Sequence, residues 1–196
     1  CFNIKKNNNK WRCLAEIKSI PDNKCISPKQ INITIANRSN GSGHPMYIHI
    51  PRIKTPIPLF IAFRALGIIS DIEICKYIIL NIKEKSMKRM LFALKASIIE
   101  SHKYSTQESA LDFIVSQAMY TPINMTYEEG LQKKKEFTES VLSNDLFPHC
   151  KEKLEKIYFM GFMTNKLLQT SFGWRKCDDR DSYKNKRVDL CGVLLN

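Results

Sequence analysis

The stretch Pro56-Ile57-Pro58-Leu59-Phe60-Ile61-Ala62-Phe63-Arg64-Ala65-Leu66-Gly67 joins two regions of different period. Pro56 and Pro58 restrict Thr55 and Ile57 to β or polyproline geometry, so the segment enters extended and runs on into a helix. Arg64 is the one charge between Lys54 and Asp71. Amid apolar neighbours it is either a surface arginine whose stem lies along them or a paired, orientation-fixing group.

Upstream of this stretch the pattern is β. Trp11, Cys13, Ala15 and Ile17 alternate with Arg12, Leu14, Glu16 and Lys18. Ile31, Ile33 and Ile35 alternate with Asn32, Thr34 and Ala36, and Met46, Ile48 and Ile50 with Tyr47 and His49. A period of two packs one face and solvates the other. The turn-forming run Asn37 to Pro45 joins the last two strands as a long hairpin loop. It lacks the G-K-[ST] ending of a phosphate-cradling loop, so a solvated tip is expected, with Arg38 as the candidate phosphate contact.

Downstream the pattern is helical. Ser70 to Glu73, Ser105 to Glu108 and Thr126 to Glu129 each match a capping box. Apolar residues follow at three- and four-residue steps, as in Ile74 and Ile78, or Leu111, Ile114, Val115 and Ala118, with Leu131, Val141 and Leu142 more sparsely placed. Met87, Met90, Leu91 and Leu94 form a stripe within 83–99, and Leu154, Ile157, Tyr158, Gly161, Phe162 and Leu168 make a long apolar helix. These stripes are read as core. The expected fold class is α+β: a small antiparallel sheet with a long hairpin loop plus a helical subdomain of about five helices.

Composition bounds the function. The 196 residues suit one domain, and 43% hydrophobic with 26% charged residues is ordinary globular usage. The longest apolar run, Ile57 to Phe63, falls far short of the roughly 18 residues of a membrane span. No basic-then-apolar leader opens the sequence, and both ends look cut, as expected for part of a longer polypeptide. Seven cysteines, odd in number and without C-x-x-C, are read as reduced packing residues inside a cell. His149-Cys150 is read as structural rather than as a metal or catalytic pair, because adjacent residues diverge in a helix or strand. The net charge of +12 favours an anionic partner, most often nucleic acid. It is unevenly placed: +8 over residues 1–56, zero over 57–149 and +4 over 150–196.

The C-terminal segment interleaves carboxylates and bases: Arg175, Lys176, Asp178, Asp179, Arg180, Asp181, Lys184, Lys186, Arg187 and Asp189. Asp178, Asp179 and Asp181 raise the alternative of a metal-dependent nuclease, since two-metal phosphoryl chemistry needs convergent carboxylates. Adjacent Asp178 and Asp179 cannot both face one point in regular structure, and the nearby cations compete for their oxygens. A structural ion-pair network of Arg64, Asp178, Asp179, Arg180, Asp181, Arg187 and Asp189 is the favoured reading. Within it Arg180 and Arg187 are expected to pair Asp178, Asp181 or Asp189. Lys184 and Lys186, with Arg38, are then the candidates for facing nucleic acid. A freestanding basic nucleic-acid-binding protein is the other alternative.

Five groups of residues carry a family resemblance: Phe63-Arg64-Ala65-Leu66-Gly67, Gly161-Phe162-Met163, Asn165-Lys166-Leu167-Leu168, Asp178-Asp179-Arg180-Asp181 and Lys186-Arg187-Val188-Asp189-Leu190. With Ala110 to Ile114 and Leu146 to His149, they resemble, in order, the motifs of the second-largest subunit of multi-subunit DNA-directed RNA polymerase, of the eukaryotic, archaeal and nucleocytoplasmic-virus type. Ser182, Lys184, Cys191 and Val193 depart from the family pattern of His, Gly, Ala and Pro. The divergence suits a viral or protist enzyme.

The resemblance implies the lobe domain. Residues 1–13 would be the tail of the preceding protrusion strands, 14–175 the lobe, and 176–196 the connection into the fork. It implies a module without its own catalytic centre in a nucleotidyltransferase, with no cofactor in this fragment, since the whole polymerase holds its Mg²⁺ and Zn²⁺ elsewhere. Implied partners are downstream duplex DNA, the largest and other polymerase subunits, and initiation factors on the outer lobe face, with no membrane. The implied location is intracellular: the nucleus, or a virion or cytoplasmic virus factory.

Overall fold

The computed structural model describes residues 2–8, 11–20, 28–80, 87–121, 126–179, 182–184 and 191–194. Among these residues five antiparallel strands form one meander in the order β1-β2-β3-β4-β5. They are β1 (Phe2–Asn8), β2 (Trp11–Ser19), β3 (Lys29–Ala36), β4 (Met46–His49) and the two-residue β5 (Ile57–Pro58). The expected inner face is packed, but Thr34 and Ala36, expected on the solvated face of β3, are buried as well. Cys13, Ala15 and Ile17, then Ile31, Ile33 and Ile35, then Met46 and Ile48 are buried in one core. Their register agrees, with Ala15 opposite Ile33 and Ile33 opposite Ile48.

The chain passes directly from β5 into α1 (Leu59–Ala65), and every residue of that helix is buried. A helix apolar nearly all round is a central one. α1 packs against β4, β5, α2 (Asp71–Ile79), α3 (Lys88–Ser101) and α4 (Gln107–Gln117). It stops in a Schellman motif: Ile68 N donates to Phe63 O at 3.2 Å and Gly67 N to Arg64 O at 3.0 Å. Gly67 has φ +114°, in the left-handed region where a side chain is strained, so the glycine ends the helix and turns the chain toward α2.

α5 (Tyr127–Ser140) continues into a π-helical turn, Val141–Asp145, and α6 (Lys153–Ser171) closes the fold against β2, β3 and α2. A short α7 (Cys191–Leu194) follows. Among the described residues the helices are thus six longer ones plus α7, against an expectation of about five. The Lys83 to Ser86 part of the expected Met87 helix lies outside the described residues, and α3 begins at Lys88.

Three expectations from the sequence are corrected. Ser70 occupies the N-cap of α2 but its side chain makes no cap bond. The box of α4 starts one residue later than expected, with Thr106 and Ser109 each accepting the other's backbone N–H at 3.2 Å. Thr126 and Glu129 do cap α5 as expected. The apolar residues of α6 split into two faces. Ile157, Met160, Met163, Leu167 and Leu168 are buried, whereas Leu154, Tyr158 and Phe162 lie on the outside.

α6 approaches α2 closely because residue 161 has no side chain. A Cβ at Gly161 would lie 2.5 Å from Tyr77 O and 3.0 Å from Tyr77 C. One turn further on, Asn165 Nδ2 donates to Ile78 O at 2.8 Å, and across the crossing the rings of Tyr77 and Tyr158 meet edge-on at 5.0 Å. Gly161→Ala should therefore cost about 1–3 kcal/mol, read as a fall of several degrees in the melting midpoint. Gly192→Ala, with open space at its Cβ, should leave the midpoint in place.

Candidate nucleic-acid interface

Arg38 stands on the β3–β4 hairpin, whose residues 37–42 are exposed. The loop is held from below by α3. Asn40 Nδ2 donates to Ala96 O at 3.3 Å, and Met46 N donates to Ser97 Oγ at 2.9 Å. His44 Nδ1 donates to Ala36 O at 3.0 Å across the hairpin's base. The hairpin thus presents Arg38 from an anchored support. Lys184 is exposed in the short described stretch 182–184, on a segment separate from that hairpin. Lys186 lies outside the described residues, as do Arg180, Asp181, Arg187 and Asp189, so their expected pairings are not described.

Arg64 is buried, with 3% of its surface exposed, so the paired reading holds over the surface one. Its Nη1 donates to Ser101 O at 2.6 Å and to Tyr104 O at 2.8 Å, and its Nη2 to Asp71 Oδ1 at 2.5 Å. Ser101 is the last residue of α3 and Tyr104 lies three residues on, so the guanidinium sits at the negative end of that helix, where the dipole favours a cation. Asp71 is the first residue of α2, so one guanidinium fixes α1, the start of α2 and the end of α3 together.

Asp178 receives Arg175 Nη2 at 2.8 Å, and Asp178 N donates to Ile4 O at 3.3 Å. The described partner of Asp178 is thus Arg175, three residues back, while the expected partners Arg180 and Arg187 lie outside the described residues. The backbone bond sets the outgoing segment beside the incoming strand β1. Asp179 is exposed. Among the described residues no group of three or more His, Cys, Asp or Glu is arranged to hold a metal ion.

Two buried charges have no counterpart in the sequence patterns. Asp145, at the end of the π-helical turn, meets Lys29 Nζ at 3.2 Å and Arg52 Nε at 3.3 Å. Lys156, on α6 and 2% exposed, donates to Leu142 O at 2.9 Å and also to Ser143 O. It satisfies carbonyls that the widened turn leaves open. Burial pushes the Lys156 ammonium below the ordinary lysine range, with nearby Cys150 opposing. The Cys150 thiol is itself raised by burial, chiefly, and by Glu155, so it is held protonated rather than as a reactive thiolate. His149 Nδ1 lies 2.7 Å from Ser19 Oγ, and its ring meets Phe159 edge-on at 4.6 Å. Cys13, Cys75 and Cys150 are buried free thiols, as expected for packing residues, while Cys177 and Cys191 are exposed. No helix among the described residues is long and apolar enough to cross a membrane.

These features define an α+β module with an anchored hairpin that presents Arg38 and with chain connections running side by side. The family profile described as "RNA polymerase Rpb2, domain 2" matches residues 5–189, so the chain belongs to that family, that is, to the second-largest RNA polymerase subunit. It is 34% identical over 187 residues to "DNA-directed RNA polymerase II subunit RPB2" of Encephalitozoon cuniculi, covering 92% of this chain and 15% of the relative. It is 31% identical to "DNA-directed RNA polymerase II subunit 2" of Arabidopsis thaliana, covering 97% and 16%. Against "DNA-directed RNA polymerase subunit 2" of Acanthamoeba polyphaga mimivirus the identity is 27%, covering 92% and 16%. The chain thus spans less than a fifth of the length of these relatives. The family supports the polymerase reading over the nuclease and freestanding alternatives.

Two outcomes test the buried charges. Arg64→Ala should destabilise the chain by about 3–5 kcal/mol, because it takes the guanidinium from the Asp71 carboxylate and from Tyr104 O, and leaves Ser101 O with the Tyr104 N–H alone. Arg64→Lys, which keeps the charge but not the fork, should recover only part of that stability in a thermal melt. For Lys156 the folded pKa is lower than the unfolded one, so between the two values the unfolded chain holds the extra proton. The stability contributed by this group therefore rises as pH rises through that window, up to about 10.4, and falls on acidification through it. Relative to Lys156→Met, with Cys150 common to both, the wild-type chain should gain unfolding free energy between neutral pH and about pH 10.

Proposed function

We propose that this chain is the lobe wall of the DNA cleft in a DNA-directed RNA polymerase, a non-catalytic part of that nucleotidyltransferase. Family membership over residues 5–189, together with the basic excess on the two flanks, carries the reading. Residues 14–175 form the lobe, 1–13 end the protrusion strands with β1 docked along β2, and 176–196 lead into the fork. The catalytic Mg²⁺ and the structural Zn²⁺ belong to other parts of the enzyme. Arg38, Lys184 and Lys186 face the downstream duplex, and their contact with phosphates carries no sequence information, as suits an enzyme that travels along any template. Arg180, Asp181, Arg187 and Asp189 extend the ion-pair network begun by Arg175 and Asp178. The remaining polymerase subunits adjoin this domain, and initiation factors dock on its outer face. The complex works inside the cell, in the nucleus or a virus factory.

The test uses the assembled polymerase carrying Arg38→Gln, Lys184→Gln and Lys186→Gln. Affinity for downstream duplex should fall, and the slope of log affinity against log salt should drop by roughly one for each phosphate neutralised in wild type and not in the variant. Arg187→Ala should lower the melting midpoint and leave that slope in place. An unchanged slope in the triple variant would remove these three residues from the DNA path.

A further inference from the structure

We propose that the outer face of α6, with the turn behind it, binds single-stranded nucleic acid, bases stacking on Phe162 and Trp174 and phosphates meeting Lys166 and Arg89. This surface belongs to α3 and α6 and needs none of Arg38, Lys184 and Lys186.

From Lys156 to Cys177 there is no carboxylate, while the same 22 residues hold Lys156, Lys166, Arg175 and Lys176. Lys156 is buried and Arg175 is engaged with Asp178, so Lys166 and Lys176 supply the outward charge of this stretch. Arg89 joins them from the start of α3, with its guanidinium 4.8 Å from the centre of the Phe172 ring.

Aromatic surface lies among these cations. Tyr158 is 52% exposed, Phe162 46% and Trp174 43%. Lys166 Nζ sits 5.4 Å from the Phe162 ring centre, and Phe172 lies 5.2 Å from Trp174. Trp174 is fixed by the way α6 ends: Trp174 N donates to Gln169 O at 2.9 Å and Gly173 N to Thr170 O at 3.1 Å. A ring on a pinned backbone gives up little freedom when a base covers it. Phe162 to Phe172 spans about 15 Å of helix, room for the smallest single-strand sites of about 4 nucleotides.

A duplex or a protein fits this face less well. A duplex hides its base faces, so exposed rings add nothing to its binding. Aromatic rings and arginine are common to protein contacts as well, but the core of such a contact is depleted of lysine, whereas here Lys166 lies over an exposed ring. Interleaved cations and rings are what a single strand uses, because every base offers a π-face beside its phosphate.

The experiment uses the assembled polymerase with the complete subunit and an oligodeoxythymidine carrying 5-iodouracil. Irradiation should give crosslinks within residues 158–174. Phe162→Leu and Trp174→Leu keep an apolar side chain and remove the flat ring. Each should lower single-strand affinity at least about fivefold while duplex affinity stays in place. Lys166→Gln should lower the single-strand salt slope by roughly one. Crosslinks only elsewhere would overturn the proposal. So would leucine variants that bind as tightly as wild type, which would mark an aliphatic-tolerant contact with another protein. Equal weakening for single strand and duplex would also overturn it, reducing the face to general charge. A polymerase whose duplex binding ignores Arg38, Lys184 and Lys186 but which gives these crosslinks would sustain the single-strand face and remove the other.

Discussion

The fold turns on a guanidinium that water barely reaches. Arg64 sits in the last turn of a helix buried on every side, and a cation there is tolerated only because three oxygens from beyond its own helix converge on it. The Asp71 carboxylate supplies charge, while the carbonyl of Ser101 supplies the negative end of α3 and that of Tyr104 the turn after it. The fork geometry of arginine matters as much as its charge, since two carbonyls and a carboxylate must be met in fixed directions at once. Gly67 completes the same construction by turning the chain back soon after the arginine. The Arg-Ala-Leu-Gly sequence is thus one device: a charge that sets three helices in place and a turn that lets the next one arrive.

A second, independent device stabilises the other end of the helical layer. The π-helical turn at Val141–Asp145 opens carbonyls that regular helix would have closed, and Lys156 from α6 reaches in to take them. The same turn swings Asp145 toward Lys29 on β3 and Arg52 after β4, tying sheet to helices by charge as well as by apolar contact. These locks bear on the net charge. Arg64 and Lys156 are inside, and Lys29, Arg52 and Arg175 are matched by carboxylates, so these five cations are committed to the fold, yet with Asp71, Asp145 and Asp178 beside them they hold only two of the twelve net positive charges. The rest of the basic excess is spread over the surface, and Arg38 on the hairpin, Lys166 on α6 and Lys184 near the C-terminus are part of it.

Much of the architecture is legible in the sequence because it rests on local periods. Cys13-Ala15-Ile17 and Ile31-Ile33-Ile35 declare their strands and facing sides, and Thr126 with Glu129 declares a helix start. Where a tertiary contact competes, the local signal fails. Ser70 looks like a cap but makes no cap bond, and the tertiary contact at that helix start is made by Asp71 with an arginine seven positions earlier. The Asp145 cluster joins residues 29, 52 and 145, and no spacing rule links positions so far apart. The π-helical turn is invisible for the same reason, since its open carbonyls are met by Lys156, well beyond its end. The motif Phe63 to Gly67 announces kinship in the sequence without showing what its residues do. In the structure Phe63 supplies the carbonyl on which Ile68 N closes, and Gly67 stands just past the end of the helix that carries Arg64. The candidate nucleic-acid contacts are the least legible, because exposure of Arg38 or Lys184 leaves no periodic trace.

α6 shows why a stripe of apolar residues cannot be assigned to core by composition alone. Its inner face, Met160, Met163, Leu167 and Leu168, is packed, and Gly161 lets it lie almost against the backbone of α2. Such close packing fixes the helix in rotation as well as position, because even a modest turn would replace the glycine with a side chain at the crossing. Once rotation is fixed, Tyr158 and Phe162 have nowhere to go but outward, one turn apart, with Lys166 one turn further along. Their exposure is therefore a consequence of the core and not a failure of it. A helix held this firmly from within offers its outer rings in a constant geometry, which is what a surface that recognises flat ligands requires.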